Sequence, residues 1–331
     1  MESTAGNFKE NAKQALADAK LRDALAKLSD GFPVKRRDAA ARLPEFDDLC
    51  DQAKAIKEHV LENLGFYLEA FEARVTEAGG TVHWCRNAAE ARTTILRICK
   101  QAGAKTVTKS KSMISEEIAI NEHLETHDVE PVETDLGEYI IQLAGESPSH
   151  IIAPAIHKTR EQITELFYEN HKGHGFSERV TRREDIVNEA RSVLRNVFAR
   201  ADVGITGANF LVAETGANVI VTNEGNGDLA STLPRVQIIT AGIEKVIPSL
   251  DDLSTFLRIL SRSATGQEMS AYTTLYAGPR RQGEVEGPTE YHVVLLDNGR
   301  SAMLGGSYRS MLRCIRCGAC LNHCPVYSAV G

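Results

Sequence analysis

The sequence predicts an α/β protein, built as a layered domain around a largely parallel sheet. From residue 81 to about residue 300, segments with the pattern of strands alternate with segments with the pattern of helices. Residues 1–75 differ, because they carry helical patterns without strands. The 331 residues are enough to bury one large core or two smaller ones.

Two helical runs precede the α/β pattern. The first covers residues 11–31 and is predicted to end at Gly31 and Pro33. The second covers residues 46–80 and is predicted to end at its two closing glycines. The first run has few large apolar residues, so we expect it to lie on the main domain or to reach a partner as an arm.

The α/β region contains ten strand-like segments and five helix-like segments. Strands are predicted at residues 81–84, 105–109, 129–134, 139–143, 149–154, within the strand-rich block 202–225, and at 235–242, 244–249, 271–278 and 290–297. Helices are predicted at residues 87–103, 114–126, 159–170, 181–201 and 250–264. Asn87 with Glu90, and Thr181 with Glu184, have the spacing of capping boxes at the starts of two of these helices.

Composition and charge narrow the function classes. The net charge is -7 and the pI about 5.9, which argues against general nucleic-acid binding because that function needs a basic face. No stretch approaches the roughly 18 uninterrupted apolar residues of a membrane helix. The first residues have no apolar segment of the kind that a secretory signal carries, so the predicted location is the cytoplasm.

Four of the seven cysteines form a motif near the end of the chain. Cys314, Cys317, Cys320 and Cys324 have the spacing C-x2-C-x2-C-x3-C-P, which is typical of iron–sulfur sites. Three thiolates spaced in this way can wrap one face of a cubane cluster, and Gly318 allows a tight turn. Zinc is the weaker alternative, because its sites usually use paired knuckles separated by a longer stretch. The remaining cysteines are predicted to be small buried apolar side chains: Cys50, Cys85 and Cys99.

The motif predicts ligands for two different 4Fe–4S clusters. In the two-cluster arrangement the fourth cysteine of such a run ligates the other cluster. We therefore expect Cys314, Cys317 and Cys320 to hold three corners of one cluster, and Cys324 to hold one corner of a second. The remaining ligands need a second Cys-Pro motif, which this sequence lacks. We expect a piece cut after the first half of a two-cluster module, or a second chain that supplies the other half, with the clusters incomplete or absent in this chain.

With the α/β pattern before it, this cysteine run resembles the iron–sulfur subunit, the B component, of the bacterial lactate-utilization complex. The resemblance covers essentially the whole chain, although that family continues beyond residue 331 with a second cysteine motif. The segments that carry it are 108–125, 133–143, 202–216, 221–228 and 314–327.

The resemblance implies a fold, an activity and partners. The fold is akin to that of sugar-phosphate isomerases and coenzyme A transferases. The activity is electron transfer in the oxidation of L-lactate to pyruvate, through two 4Fe–4S clusters of the full-length protein, with two further subunits as partners and a quinone as a candidate acceptor. The chain then divides into an N-terminal helical region (1–75), an α/β lactate-utilization-type domain (76–300) and the first half of a ferredoxin-like module (301–331).

A candidate ligand site lies between a predicted strand and the helix that follows it. Ligands of open α/β sheets bind beyond the carboxyl ends of strands, and helix N-termini attract anions. We therefore predict that Lys109, Ser110, Lys111 and Ser112 contact a carboxylate or a phosphate. A solvated loop with helix-capping serines is the alternative.

A second candidate is the predicted tight turn at Glu214, Thr215 and Gly216. In coenzyme A transferases of similar fold, a Glu in a comparable turn is a nucleophile that attacks an acyl group. By this fold-level analogy Glu214 is a candidate ligand contact and a weaker candidate nucleophile, with an ordinary turn residue as the alternative.

The glycine-rich segment 222–228 and the histidines complete the candidates. Asn223, Glu224 and Asn226 lie where backbone N–H groups can face an anion, although no P-loop lysine follows and a plain hairpin turn is the alternative. No third ligand stands at metal-binding spacing near the most prominent histidines, so we predict polar loops at His157, His171 and His174.

These observations predict an electron-transfer subunit of an oxidoreductase complex rather than a complete enzyme. One alternative is a stand-alone isomerase or acyl transferase with a regulatory cluster, and another is a scaffold that only docks partner subunits. No membrane span is predicted, and peripheral association with a membrane is compatible with the sequence. The substrate among the 2-hydroxy acids, the terminal electron acceptor and the oligomeric state are left open.

Overall fold

The structure is a computed structural model that describes residues 5–331, leaving aside the side chains of residues 5 and 27–30. Its strands are β1 (Thr81–Cys85), β2 (Thr106–Lys109), β3 (Glu130–Glu133), β4 (Val203–Gly207), β5 (Phe210–Val212), β6 (Ala217–Thr222), β7 (Val236–Gly242), β8 (Val246–Ile247), β9 (Tyr272–Tyr276) and β10 (Glu290–Leu296).

Helices lie between these strands and at both ends of the described part. They are α1 (Phe8–Ala17), α2 (Ala19–Ala41), α3 (Phe46–Glu62), α4 (Leu64–Glu77), α5 (Ala88–Gln101), α6 (Met113–Glu117), α7 (Ile120–Glu125), α8 (Leu136–Ala144), α9 (Arg160–Asn170), α10 (Arg183–Arg200), α11 (Asn226–Thr232), α12 (Leu250–Thr265), α13 (Arg300–Leu304), α14 (Ala319–His323) and α15 (Pro325–Val330). None of the described helices is long and apolar enough to cross a bilayer.

The main sheet has six strands in the order β1-β10-β7-β4-β2-β3, and every neighbouring pair is parallel. Every residue of the central strand β7 is buried, as expected for a parallel sheet covered on both faces. Successive residues Ile238 and Ile239 point into opposite cores, one packed by α5 and the other by α4. The predicted α/β fold with a largely parallel sheet is thereby confirmed.

A smaller mixed sheet has the strand order β8-β5-β6-β9 and packs against α3 and α12. The rings of Phe210 and Phe256, tilted by 35° with centroids 4.9 Å apart, lie in the core that this sheet shares with the two helices. Although β9 and β10 follow each other in sequence, β9 pairs antiparallel with β6 whereas β10 joins the parallel sheet. The two sheets meet near the carboxyl ends of β2, β4 and β7.

The predicted end of the first helical run is wrong. Helix α2 continues through Gly31 and Pro33 as far as Ala41. Local breaker signals are overridden here because α2 packs against α12, α14 and α15, so that tertiary contacts favour the helix. The second predicted run is interrupted at Asn63, which separates α3 from α4.

Two predicted strands are also wrong. Residues 139–143 belong to helix α8, which begins where the Asp135 carboxylate accepts a hydrogen bond from the Gly137 N–H at 3.1 Å. A short apolar run fits a buried helix as well as a strand, which explains the error. Residues 149–154 form a loop, in which the His150 ring accepts the backbone N–H groups of Ile152 and Ala153.

The two predicted capping boxes fare differently. The Asn87 side chain caps α5 by accepting from the Glu90 N–H at 3.0 Å, which confirms its role as N-cap, but the Glu90 carboxylate accepts from the Arg86 N–H at 2.8 Å instead of completing the box. Helix α10 begins after Arg182 without a side-chain cap, so the predicted capping box at Thr181 is wrong.

Candidate ligand cavity and cysteine segment

A cavity of about 350 Å³ lies at the carboxyl edge of the parallel sheet. The ends of β2, β4 and β7 supply one side of it, and β6 with α12 supplies the other. Its volume lies at the lower end of the ~300–1,000 Å³ found for ligand sites, which suits a small molecule. This is also the edge at which open α/β sheets bind their ligands.

The loop after β2 contributes three of the predicted site residues to the lining: Ser110, Lys111 and Ser112. The Ser112 hydroxyl caps α6 by accepting from the Ser115 N–H, and it lies 2.8 Å from the Thr240 hydroxyl. Lys111 Nζ donates to the Ile152 carbonyl at 2.9 Å, so this lysine holds the 149–154 loop against the cavity. The predicted strand–loop–helix arrangement is confirmed, whereas the ligand contacts stay a prediction.

The glycine-rich segment reaches the same cavity from the second sheet. Asn223, Glu224 and Asn226 all line it, and Asn226 begins α11 rather than a hairpin. Asn223 exchanges side-chain hydrogen bonds with Gln267, at 2.9 and 3.2 Å, which holds the end of β6 to the loop after α12. Two segments that are far apart in sequence thus meet at one site.

Lys109 lies behind this lining. Its side chain is 1% exposed and its ammonium lies 2.6 Å from both Glu116 Oε1 and Glu133 Oε1. Burial by itself lowers the pKa of Lys109, but the two carboxylates outweigh it and raise the pKa above the ordinary value. Lys109 therefore serves as the cation of a buried ionic cluster.

The turn at Glu214, Thr215 and Gly216 lies outside the cavity lining. It joins β5 to β6, as predicted, and the Glu214 carboxylate accepts the backbone N–H of Leu250 at 3.0 Å, at the start of α12. Gly216 has a left-handed φ of 71° and packs against the backbone at Arg74, where a Cβ would have no room. The geometry provides a structural role for Glu214 and Gly216, and the ligand contacts predicted for the turn stay a prediction.

A pair of carboxyl groups stands beside the cavity. Asp135 lines it, and its carboxylate hydrogen bonds with the carboxyl of Glu138. Burial and the neighbouring Asp135 raise the pKa of Glu138 to about 9, so Glu138 carries a proton at neutral pH. Although burial opposes it, the hydrogen bond with Glu138 and the charge of Lys111 hold the pKa of Asp135 below its usual value. The site therefore contains one neutral and one ionised carboxyl group.

Lys245 is the residue that sequence reasoning missed. It follows β7, lines the cavity and is only 7% exposed. Burial, partly opposed by the charge of Glu244, lowers the pKa of Lys245 to about 8. No local pattern distinguishes Lys245 from an ordinary strand or turn lysine, because its burial arises only when the two sheets meet.

The cysteine segment lies against the same region. Arg316, between the first two cysteines of the motif, has a left-handed φ of 60° and also lines the cavity. Its guanidinium lies 3.7 Å from Glu244 and 4.0 Å from Glu117. The predicted turn at Gly318 is confirmed by a φ of 76° and by the start of α14 directly after it.

The thiols have environments of different kinds. Cys317 is half-buried against the core of the second sheet, and burial raises the pKa of its thiol, with Cys314 and Cys320 close enough to add to the effect. Cys324 instead caps α15 and packs beside Tyr327. The predicted division of the four cysteines between two clusters stays a prediction.

The four cysteine thiols are ligands of the kind that iron–sulfur clusters require. Backbone N–H groups of Arg316 and Tyr327 face the sulfurs of Cys314 and Cys324 at 3.3 and 3.4 Å, and such hydrogen bonds tune cluster thiolates. Within residues 5–331, however, no group of three or more His, Cys, Asp or Glu side chains converges closely enough to hold a metal ion. Cluster ligation by the four cysteines therefore stays a prediction.

The scattered cysteines and the histidines have structural surroundings. Cys85 and Cys99 are buried, as predicted, whereas Cys50 is half-buried. His171 lies directly after α9, in the predicted loop, and is buried between the Tyr139 hydroxyl and the Glu189 carboxylate, at 2.9 and 2.8 Å.

Comparisons with known proteins show which proteins this chain is similar to. The LUD domain family matches residues 68–296. A protein of Bacillus velezensis named lactate utilization protein B is 45% identical over 98% of this chain and 67% of its own length. The proteins of the same name from Bacillus subtilis and Anoxybacillus flavithermus are 44% and 41% identical, over 67% and 70% of their lengths. A solved DUF162 family protein from Deinococcus radiodurans covers 70% of this chain and 98% of its own, at 13% identity and a TM-score of 0.39, too distant to support an argument.

Proposed function

This chain belongs to the LUD domain family, among the lactate utilization B proteins, and from this premise we propose that it serves lactate utilization as an iron–sulfur electron-transfer subunit. The single observation that supports this role most is the position of the cysteine segment. Arg316 lies inside the motif and also forms part of the cavity wall. A cluster held there would accept or pass on single electrons next to a site for a small molecule.

The proposed ligands follow the sequence motif. Cys314, Cys317 and Cys320 hold one 4Fe–4S cluster at three corners, and Cys324 belongs to a second. A ferredoxin-like module around these residues, other subunits of a lactate-utilization system as partners, and a fold related to coenzyme A transferases are parts of the same proposal. The alternative of an acyl transferase receives no support from Glu214, because its carboxylate caps α12 outside the cavity.

Iron and sulfide analysis tests the cluster. The chain is reconstituted anaerobically with ferrous iron and sulfide, and bound iron, acid-labile sulfide and the EPR spectrum of the reduced protein are measured. We expect the unchanged chain to bind only part of the iron and sulfide of two 4Fe–4S clusters, Cys317→Ser to lose most of that part, and Cys50→Ser, a half-buried thiol outside the motif, to retain it. Equal iron content in the unchanged chain and Cys317→Ser would contradict the proposal, as would bound zinc without sulfide.

Growth tests the pathway. Disruption of the gene in its own organism should abolish growth on L-lactate and leave growth on a sugar unchanged. The gene with Cys50→Ser should restore growth on lactate, and the gene with Cys317→Ser should not. Normal growth of the disrupted strain on L-lactate would refute the role in lactate utilization.

A further inference from the structure

Lys245 is a buried lysine whose ammonium forms no direct ion pair with any described residue. It is 7% exposed, and neither a hydrogen bond nor an ion pair joins its side chain to another residue in the part of the chain that the structure describes. Such a group destabilises a protein unless an opposite charge meets it. Because Lys245 lines the cavity, an anion in the cavity is in a position to supply that charge.

The neighbouring carboxylates are already paired. Glu244 lies 2.7 Å from Arg300 and 3.7 Å from Arg316, and Glu117 lies 2.8 Å from Arg300. Lys57, a second buried lysine nearby, donates to the backbone carbonyls of Glu244 and Val246 instead of to a carboxylate. The region thus contains two carboxylates and four cations, which are Glu117, Glu244, Lys57, Lys245, Arg300 and Arg316.

Two polar groups in the lining indicate what the anion carries besides its charge. The Thr206 hydroxyl is buried and makes no hydrogen bond with any described residue, although Thr206 lines the cavity. Asp135, also in the lining, is ionised and accepts hydrogen bonds. A hydroxyl on the ligand can both accept from Thr206 and donate to a carboxylate, whereas a bare hydrocarbon can do neither.

We propose that this cavity binds a small 2-hydroxy carboxylate, with Lys245 as the residue that meets the carboxylate group. The anion site follows from the unpaired lysine, whereas the choice of a 2-hydroxy acid also rests on the proposed function. Ionised Asp135 disfavours a second negative charge, so a monoanionic carboxylate fits the lining better than a phosphate dianion. The volume of about 350 Å³ restricts the ligand to a small acid.

Calorimetric titration tests the proposal on the chain without iron. L-lactate, propionate and inorganic phosphate are each titrated into the unchanged chain, into Lys245→Met and into Lys54→Met, whose lysine is exposed on α3. We expect L-lactate to bind the unchanged chain and Lys54→Met equally, and Lys245→Met about 10- to 150-fold more weakly, the range for a lost hydrogen bond to a charged group. Propionate, which lacks the 2-hydroxyl, should bind more weakly than L-lactate.

Lys245→Met should fold, because it removes an unpaired buried charge and keeps the length of the side chain. Without ligand, its melting temperature should equal or exceed that of the unchanged chain. L-lactate should raise the melting temperature of the unchanged chain and leave that of the variant unchanged. Should the variant fail to fold, the unchanged chain alone still tests the proposal. L-lactate should then raise its melting temperature by more than the same concentration of propionate does.

Three results would overturn the proposal: no binding of L-lactate to the unchanged chain, equal binding to Lys245→Met, or tighter binding of phosphate than of L-lactate. None of them bears on the cluster, which iron and sulfide analysis of Cys317→Ser tests separately. Conversely, a chain that binds no iron–sulfur cluster would not contradict the anion site at Lys245.

Discussion

Replacement of Glu138 by Gln changes how the stability of the fold depends on pH. The Glu138 carboxyl is 9% exposed and keeps its proton beside the ionised Asp135. Its Oε2 atom is buried and finds no donor among the described residues, as expected of the oxygen that carries the proton. Gln has nearly the same shape, cannot ionise and can donate an N–H to Asp135 in place of the O–H.

The magnitude follows from the raised pKa. The pKa of Glu138 rises from 4.5 to about 9 on folding. Between these values the folded state holds a proton that the unfolded state has lost, so the free energy of unfolding falls as pH rises. The contribution is complete below the unfolded pKa and is lost as pH rises through the folded pKa. At ~1.4 kcal/mol for each pH unit, the change from pH 5.5 to pH 8 is about 3 kcal/mol.

Urea unfolding followed by circular dichroism at pH 5.5, 6.5 and 8 provides the measurement. We expect the stability of Glu138→Gln relative to the unchanged chain to rise by about 3 kcal/mol across this interval. Because both proteins share the other titrating groups, the contributions of those groups cancel in the difference between the two free energies of unfolding. Glu169→Gln, an exposed substitution on α9, should show no such trend. Parallel stability curves for Glu138→Gln and the unchanged chain would refute the assignment of a proton to Glu138.

Further predictions concern packing and buried charge. Lys109→Met should destabilise the fold by ~3–5 kcal/mol in urea unfolding, because it leaves the buried Glu133 carboxylate without its cation. Gly204→Ala should lower the melting temperature strongly, since a Cβ there would lie 1.8 Å from the Ala230 carbonyl oxygen. Gly31→Ala should raise stability by ~0.5–1 kcal/mol, because α2 is helical at this position and no atom lies within 4 Å of the added carbon.

Matched variants distinguish these effects from general sensitivity to mutation. Lys105→Met removes an exposed lysine next to β2 and should change stability by less than ~0.5 kcal/mol. If Lys109→Met also lowered the free energy of unfolding by less than ~0.5 kcal/mol, this would contradict the view of Lys109 as the cation of a buried cluster. Destabilisation by Gly31→Ala would show that α2 does not continue as a helix through that residue.

The parallel sheet could be predicted because its signal is local. Strand segments such as 235–242 are short, rich in β-branched residues and bounded by turn residues, and helices with good periodicity separate them. The loop with Ser112 could also be predicted, since a polar segment between a strand and a helix marks the carboxyl edge of a sheet. The wrong assignments at 139–143 and 149–154 concern short apolar runs, for which periodicity does not separate helix, strand and loop.

The features of the cavity could not be predicted, because they depend on contacts between distant segments. Lys109 and Lys111 are equivalent in the sequence, yet Lys109 is enclosed by Glu116 and Glu133 whereas Lys111 reaches the cavity. Lys245 carries no local signal at all, and its burial without a partner arises from the way in which β7 meets the second sheet. Burial and charge pairing are properties of the assembled fold, and residue type and spacing do not determine them.

Arg316 connects the two proposals made for this chain. Its backbone N–H faces the Cys314 sulfur at 3.3 Å, and its guanidinium lies 3.7 Å from Glu244, the residue directly before Lys245. A cluster on the cysteine segment and an acid on Lys245 would therefore lie on either side of one residue. Since charge on either side acts on the same guanidinium, binding of the acid should alter the EPR spectrum of the reconstituted cluster. An identical spectrum with and without saturating L-lactate would show that the two sites act independently.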